Sequence, residues 1–406
     1  MIWILLVTAP LLAAGPEWPQ WGGPNRNFVI PGAKPIAVWP ESGPKTVWRR
    51  ELPFGSSSIA VDGNRLYTMY RGDDDTEAVL VLDANSGKTV WEHKYPAPFL
   101  KGMNMKTGPG PHATALIDGN RLYTVGVTGK LHCFDRRSGK VLWTKGLIEE
   151  LGGNVMLRGY SNSPLRYKDL LLVMTGGTGK LLTALDPVTG AVRWQGGDFG
   201  NSHSSPVVIN VDGQDQIVCL VEKAIAGFDP ANGRTLWSHA HENRGGDITS
   251  TPVWGPGNIL FFSGAYQGGS RALELKQTGG STTVKELWFH RQMRVHHSAV
   301  MRIGDYIYGP SGDFSGVVYM CADIRTGEIK WRDRAIGRAN TMLVGSSALL
   351  LDEDGNLYNA ALSPEGVKVH AKAKLLENIA WTPPTVVGRR IYLRDRKSIL
   401  AVEVPK

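Results

Sequence analysis

Residues 184 to 194 read Ala184-Leu-Asp-Pro-Val-Thr-Gly-Ala-Val-Arg-Trp194 and contain the string that decides the fold, Asp-x-x-(Ser/Thr/Asn)-Gly-x-x-x-Trp. It occurs five times with fixed spacing, from Asp83 to Trp91, Asp135 to Trp143, Asp186 to Trp194, Asp229 to Trp237 and Asp323 to Trp331. Weaker copies fill the gaps: Glu274 to Trp288 carries an insertion, and Leu357 to Val369 has lost its Trp. With Trp48 as the first end, units close at 48, 91, 143, 194, 237, 288, 331 and 369, a mean step of roughly 46 residues that fits a four-stranded propeller blade. In each unit the Asp accepts backbone N–H bonds and the Gly tolerates positive φ, which makes a tight turn. The Trp then ends the outer strand and packs over the glycine turn of a neighbouring unit.

Working outward, each unit supplies a small-residue lead-in, an inner strand, and strands such as Arg65-Leu-Tyr-Thr-Met69 and Lys130-Leu-His-Cys-Phe134. Trp381 to Val404 supplies three strands without a terminal Trp strand, whereas Lys45-Thr-Val-Trp48 is a Trp strand without its predecessors. One blade closed from both chain ends removes the free sheet edge. The expectation is an all-β, eight-bladed β-propeller over 45–406, preceded by an N-terminal extension (16–44) and a signal peptide (1–15). The apolar, uncharged run before Ala13-Ala14-Gly15 fits the core of such a signal and is too short to span a bilayer. No cysteine follows it before Cys133, so the reading is export to the periplasm or beyond the cell, not as a lipoprotein.

Composition agrees. Glycine numbers 49 of 406 residues, well above the usual ~7%, as many tight turns require. The net charge of +8 is diffuse, without the basic run or aromatic–basic motif of a nucleic-acid binder. Cys133, Cys219 and Cys321 form neither a CxxC nor an even framework. Cys133 and Cys321 stand two residues before the repeat Asp, where another copy has Ala184, so they read as small packing residues.

The repeat resembles the tryptophan-docking motif of pyrroloquinoline-quinone (PQQ)-type β-propellers. The segment Trp18-Pro-Gln-Trp-Gly-Gly-Pro-Asn-Arg26 is similar to the start of many exported bacterial members. The resemblance covers roughly residues 18 to 406 and implies the fold more specifically than the activity. Some relatives are quinoprotein dehydrogenases, and another is the cofactor-free propeller subunit of the outer-membrane β-barrel assembly machine. The dehydrogenases' adjacent cysteine pair is missing here, and their calcium ligands cannot be placed residue by residue. The assembly subunit's lipid-bearing cysteine is missing too.

No HExxH, Walker loop or GxSxG string occurs. Gly176-Gly-Thr-Gly-Lys180 lies between two strands and reads as a hairpin turn, and Asp73-Asp-Asp75 as an acidic loop. The aligned lead-ins hold Ser56, His112, Asn162, Ser204, Ser250, His297, Arg338 and Trp381, expected to ring one mouth of the channel. His203, His296, Arg158, Arg244 and Arg294 are their neighbours. Ser, Asn and His there satisfy strand-start backbone groups; a convergent donor set also suits an anion, particularly a carboxylate. Arg338 is the arginine expected to matter most, with His112 and His297 contributing more near pH 6. Asp198 and Asp247 are the only candidate bases.

The leading function is therefore a non-catalytic binding or scaffold module. Its partner is a protein, or an anionic small molecule at the channel mouth. The alternative is a quinone-dependent oxidoreductase using PQQ with calcium at an atypical site. The inserts Pro96 to Pro111 and Gly146 to Ser161 offer a contact surface for a partner.

Overall fold

The Asp-x-x-x-Gly turns close as their chemistry dictates. Asp83 Oδ1 accepts from the amides of Asn85 and Ser86 and from the Ser86 hydroxyl, and Asp135 and Asp323 repeat the pattern. Gly87 sits at φ +68°, and a Cβ there would lie 2.6 Å from the Trp48 indole of the preceding sheet. Gly139 meets Trp91 in the same way, as do Gly190 with Trp143, Gly233 with Trp194, and Gly327 with Trp288. Indole N–H groups donate to the carbonyl just after the neighbour's Asp, Trp48 to Ala84 and Trp288 to Ile324. Each Trp lies early in its outer strand rather than at its end, as in Thr89–Pro96. Trp237 departs from the pattern: its indole folds back over Gly227 of its own sheet, where a Cβ would crowd the ring, and donates to Gln216 Oε1 (2.6 Å). The next sheet has no tight turn to receive it, because its outer strands lengthen to Gly269–Thr278 and Ser281–His290.

A computed structural model describes residues 17–30, 32–106, 108–243, 248–297, 299–313 and 315–406. The segment read as a signal peptide lies outside them. They form eight antiparallel sheets and no helix: blades 1 to 7 over 60–96, 116–146, 165–196, 207–240, 253–290, 301–333 and 339–374, then blade 8. Blade 8 consists of Thr385–Val387, Arg390–Arg394 and Ser398–Glu403, with Lys45–Glu51 pairing antiparallel to the last as its outer strand. The ring thus closes from both chain ends. Arg394, fully buried, links blades 8 and 1 by donating to Ser57 O (3.1 Å), Thr68 Oγ1 (2.7 Å) and Met69 O (2.6 Å).

The apolar core consists of slabs between neighbouring blades, such as Leu165, Leu172 and Leu182 against Ile217, Cys219 and Phe228. Opposite the repeat Trp the inner position is small: Cys133, Ala184, Cys321 or Ala401. All three thiols are buried and unpaired, and burial pushes Cys133 up to about 12 and Cys321 to about 11. They are packing groups.

The N-terminal extension is part of the ring's interior. Trp18 exchanges backbone bonds with Val61 of blade 1, and Ile117 of blade 2 donates to Pro19 O. Trp21 Nε1 donates to Thr251 Oγ1 of blade 5 (2.9 Å), and the buried Arg26 donates to Pro164 O (3.0 Å) and Ser163 O beside blade 3. Val29–Ile30 then adds a parallel fifth strand to blade 7. Blades 1 and 5 lie opposite one another, so this segment crosses the channel.

Candidate functional site: a vestibule at the channel mouth

Four residues before the aligned start of each inner strand, the chain turns one side chain toward the axis. Those eight positions are Ser56, His112, Ser161, His203, Thr249, His297, Arg338 and Trp381, and all eight line one cavity of about 300 Å³. Trp21, Ser163 and Ser205 line it from the side of the crossing segment, and Tyr266, His296 and Asp313 line it elsewhere.

This corrects the sequence register in three blades. Asn162, Ser204 and Ser250 are one residue out, and a one-residue shift on an extended chain turns the side chain to the other face. The strings Ser-Asn-Ser-Pro, His-Ser-Ser-Pro and Thr-Ser-Thr-Pro are small and polar at every position, so they carry no signal for facing. The three residues are buried between blades instead. Asn162 Nδ2 donates to Ser202 O (2.7 Å) and Ser204 O (2.6 Å), Ser204 Oγ to Ser250 O (2.8 Å), and Ser250 Oγ to Ser263 O. Asn340 continues the belt by accepting from Ala299 N and donating to Trp381 O (2.9 Å). Lead-in polar residues therefore satisfy strand-start backbone groups here.

The arginines are not a free convergent set. Arg338 has a side chain 8% exposed and pairs with Glu353 Oε2 at 2.7 Å, and it also donates to Asp313 O. Trp381 Nε1 donates to the same Glu353 oxygen (3.2 Å), so one guanidinium fastens the hairpins of blades 6 and 7 to the lead-in of blade 8. Arg294 pairs with Asp313 (2.9 Å) and does not line the cavity. Arg158 does line it, and donates to Asn104 O (2.6 Å). Arg244 and Asp247 lie outside the described residues. Asp198 is committed to the Gly179 amide (2.6 Å) in the Gly-rich hairpin. Among the described residues, the carboxylates beside the vestibule are Asp313 and Glu353, both in hairpins between second and third strands. Sequence reasoning passed over them, together with Trp21, Ser161, Thr249, Tyr266 and Arg396. A charged or aromatic residue recurring in those hairpins was the available signal.

One wall is an aromatic slab. His297 stacks on Trp381 with centroids 4.4 Å apart, His296 stacks on His297 at 3.5 Å, and the Arg396 guanidinium lies 4.4 Å from the Trp381 centroid. His112, His203 and His297 stay neutral at pH 7. Burial, then the neighbouring His203 and Arg396 charges, holds His112 down to about 4; burial and Arg158 hold His203 to about 4. His297 is likewise held well below its usual value by burial, then by His296 and Arg338. Contrary to the sequence expectation, His112 and His297 therefore gain no charge near pH 6. His203 Nδ1 is 2.9 Å from Ser161 Oγ.

Stability should register these buried imidazoles. His132 and His241, buried in the blades, are held to about 3. The unfolded chain takes up these four protons near pH ~6.5, whereas the folded chain resists them until about pH 3–4. The contribution is complete above pH ~6.5 and is lost as pH falls toward 4. Glu77, buried and raised to about 7, opposes this as a single group. Thermal unfolding should show Tm lower by about 5 °C or more at pH 4.5 than at pH 7; a flat Tm across that window would contradict the burial argument.

Among the described residues, the donors of the vestibule do not match those a calcium-bound quinone needs. Among the described residues no three His, Cys, Asp or Glu side chains gather as a metal site. Asp313 and Glu353 are each engaged by a guanidinium, and the cysteines lie apart in blade cores.

The comparisons place the chain. The family described as "Outer membrane protein assembly factor BamB" matches residues 36–108 and 75–333. A BamB of that name from Moranella endobia is 24% identical over 216 residues, 48% of this chain and 50% of that protein. A quinoprotein ethanol dehydrogenase from Pseudomonas aeruginosa is 36% identical over only 98 residues, 24% of this chain and 14% of its own length. The chain thus spans about half of the first relative and a small part of the second. The crystal structure of BamB from Moraxella catarrhalis superposes with TM-score 0.63 at 18% identity, covering 89% of this chain and all of that one, which supports the fold. With the Trp–Gly clasp, the eight blades and a match over more than half its length, the chain belongs to the PQQ-like β-propeller family described as outer membrane protein assembly factor BamB.

Proposed function

We propose that this propeller is a non-catalytic scaffold that docks a protein partner on the face bearing the vestibule. One observation carries the reading. The two long inserts are locked together there, Asn104 N donating to Leu157 O (2.7 Å) and Arg158 to Asn104 O, while Phe99, Val155 and Leu157 remain 40%, 39% and 46% exposed. Apolar side chains held out on a braced surface suit a partner's apolar anchors. The relatives' name, outer membrane protein assembly factor, supports a partner within assembly machinery at the outer membrane and a working place outside the cytoplasm. No helix among the described residues is long and apolar enough to cross a membrane.

Leu157→Asp should reduce co-purification of the partner from cell-envelope extracts by tenfold or more, roughly the effect of losing one interface anchor. Its Tm should match wild type, since Leu157 is exposed. Undiminished recovery would count against the reading. The competing reading, a PQQ-dependent oxidoreductase with an atypical site, rests on the short quinoprotein alignment. It requires an absorbance change and a thermal shift when PQQ and calcium are added, and dye-linked oxidation of alcohols or sugars.

A further inference from the structure

We propose that Glu77 is a latch beneath the docking surface, and that gain or loss of its proton sets how firmly the two inserts are held. This rests on the docking reading, since the inserts are the surface assigned to the partner there.

The latch is a chain of contacts. Glu77 lies in the third strand of blade 1, Thr76–Asp83, and is fully buried. Its Oε2 accepts from the Tyr95 hydroxyl (2.8 Å), and its Oε1 accepts from the amide of Val127 (3.0 Å) in the hairpin between the second and third strands of blade 2. Gly126 permits this approach, because a Cβ there would strike both the carboxyl and the Tyr95 hydroxyl. Both inserts rest on Val127. Its carbonyl accepts from Tyr160 N of the second insert (2.8 Å). Its side chain packs on Gly110 of the first insert, where a Cβ would lie 2.8 Å away, and on Gly159 of the second, where a Cβ would collide. One carboxyl therefore reaches both inserts through a single residue.

Among the described residues no cation pairs with that carboxyl. Arg71 is the facing charge, on the neighbouring strand, but its guanidinium donates to Ala97 O (2.7 Å) at the head of the first insert and to Asp75 (2.9 Å), and lies 4.1 Å from the Phe99 ring centroid. The other titratable groups around the carboxyl are Tyr95, raised well above its usual value by burial and by Glu77, and two imidazoles beside its ring. His132 stands 4.4 Å and His93 6.2 Å from that ring, and burial pushes both down. Two neutral donors do not offset the burial of a carboxylate. Burial accordingly raises Glu77 to about 7, against the pull of Tyr95, Val127 and Arg71.

Linkage fixes the sign. The held conformation has the raised value, and an opened one, with the carboxyl in water, has the ordinary 4.5. The held state is favoured while Glu77 keeps its proton, fully so below pH 4.5, and the advantage is lost as pH rises through about 7.

The test is amide hydrogen exchange on the full chain, corrected for the intrinsic pH dependence of exchange, in peptides containing Val127, Tyr160 and Asn104. These amides bond to Glu77, to Val127 O and to Leu157 O. Protection should fall by about tenfold from pH 6 to pH 8.5, the loss linkage gives for the two values above. Glu77→Gln keeps an acceptor for Val127 and an N–H for the Tyr95 oxygen, so its protection should stay level. Tyr95→Phe removes a donor that favours the carboxylate and should move the fall to higher pH. Partner recovery should be greater at pH 6 than at pH 8.5 for wild type, and equal at both for Glu77→Gln.

Level protection in the wild type, the same fall in Glu77→Gln, an unmoved fall in Tyr95→Phe, or recovery with the same pH dependence in wild type and Glu77→Gln would overturn the proposal. If Glu77→Gln does not fold, the wild-type series and Tyr95→Phe decide. Leu157→Asp separates the two claims. Recovery lost in that variant with level wild-type protection leaves docking standing and removes the latch. Recovery untouched in that variant, with the fall in protection present, removes docking at these inserts and not the latch beneath them.

Discussion

Arg338→Ala is expected to destabilise the protein by about 3 kcal/mol, making it a folding variant before it is a binding variant. Removing one member of a buried ion pair leaves an uncompensated charge and costs roughly 3–5 kcal/mol. The lower end applies because Glu353 is 32% exposed and water partly compensates it. The lost guanidinium also releases Asp313 O, and Glu353 keeps only the Trp381 N–H. Urea unfolding should show the loss as a lower midpoint at unchanged slope, with Tm down by about 4 °C. Arg338→Met with Glu353→Gln should recover a good part of it, because the buried charge then disappears with its partner. An Arg338→Ala variant as stable as wild type would contradict this ion-pair account.

Trp48→Ala should cost more, about 4 kcal/mol, the range for deleting a buried large aromatic side chain. Its position matters as much as its size. Trp48 lies in the strand that closes blade 8 and docks on the Gly87 turn of blade 1, so it clasps the junction where the chain's two ends meet. Losing the indole leaves a cavity over Gly87 and an unsatisfied Ala84 carbonyl at that junction. Gly87→Ala attacks the same clasp from the other side, through positive φ and a Cβ 2.6 Å from the ring. Both variants should lose soluble monomer on size-exclusion chromatography, because an opened ring exposes sheet edges. Trp91→Ala, inside the continuous chain, should destabilise without that loss. Identical behaviour of Trp48→Ala and Trp91→Ala would show that closure has no special weight.

The ring was legible because its decisive contacts are periodic. A Trp in one unit and a Gly in the next recur at fixed spacing, so one stretch such as Ala184 to Trp194 reveals the blade and its neighbour together. The unpaired strand at Trp48 showed the closure for the same reason. The vestibule was only partly legible because its contacts are not periodic. Arg338, Glu353 and Trp381 come from three blades and meet once, and no repeat spacing predicts that Arg338 is neutralised. Polar lead-ins hid their own facing, so Ser161, His203 and Thr249 were confused with the belt residues beside them. The crossing segment was recognised at Trp18 to Arg26 as a motif, but its path under the cup depends on Trp21 and Arg26 finding partners far along the chain, at Thr251 and Pro164.

The docking claim is tested most directly by a photo-crosslinking side chain placed in the intact chain, in its own cells, at Leu157 and separately at Val188. Both positions are exposed, 46% and 54%, but Val188 lies in the Asp186–Gly190 turn that receives Trp143, away from the vestibule. The account predicts one dominant protein adduct from position 157, absent from position 188 and lost when Phe99→Asp is added. Adducts of equal yield from both positions, or none from position 157 while 188 reacts, would contradict it.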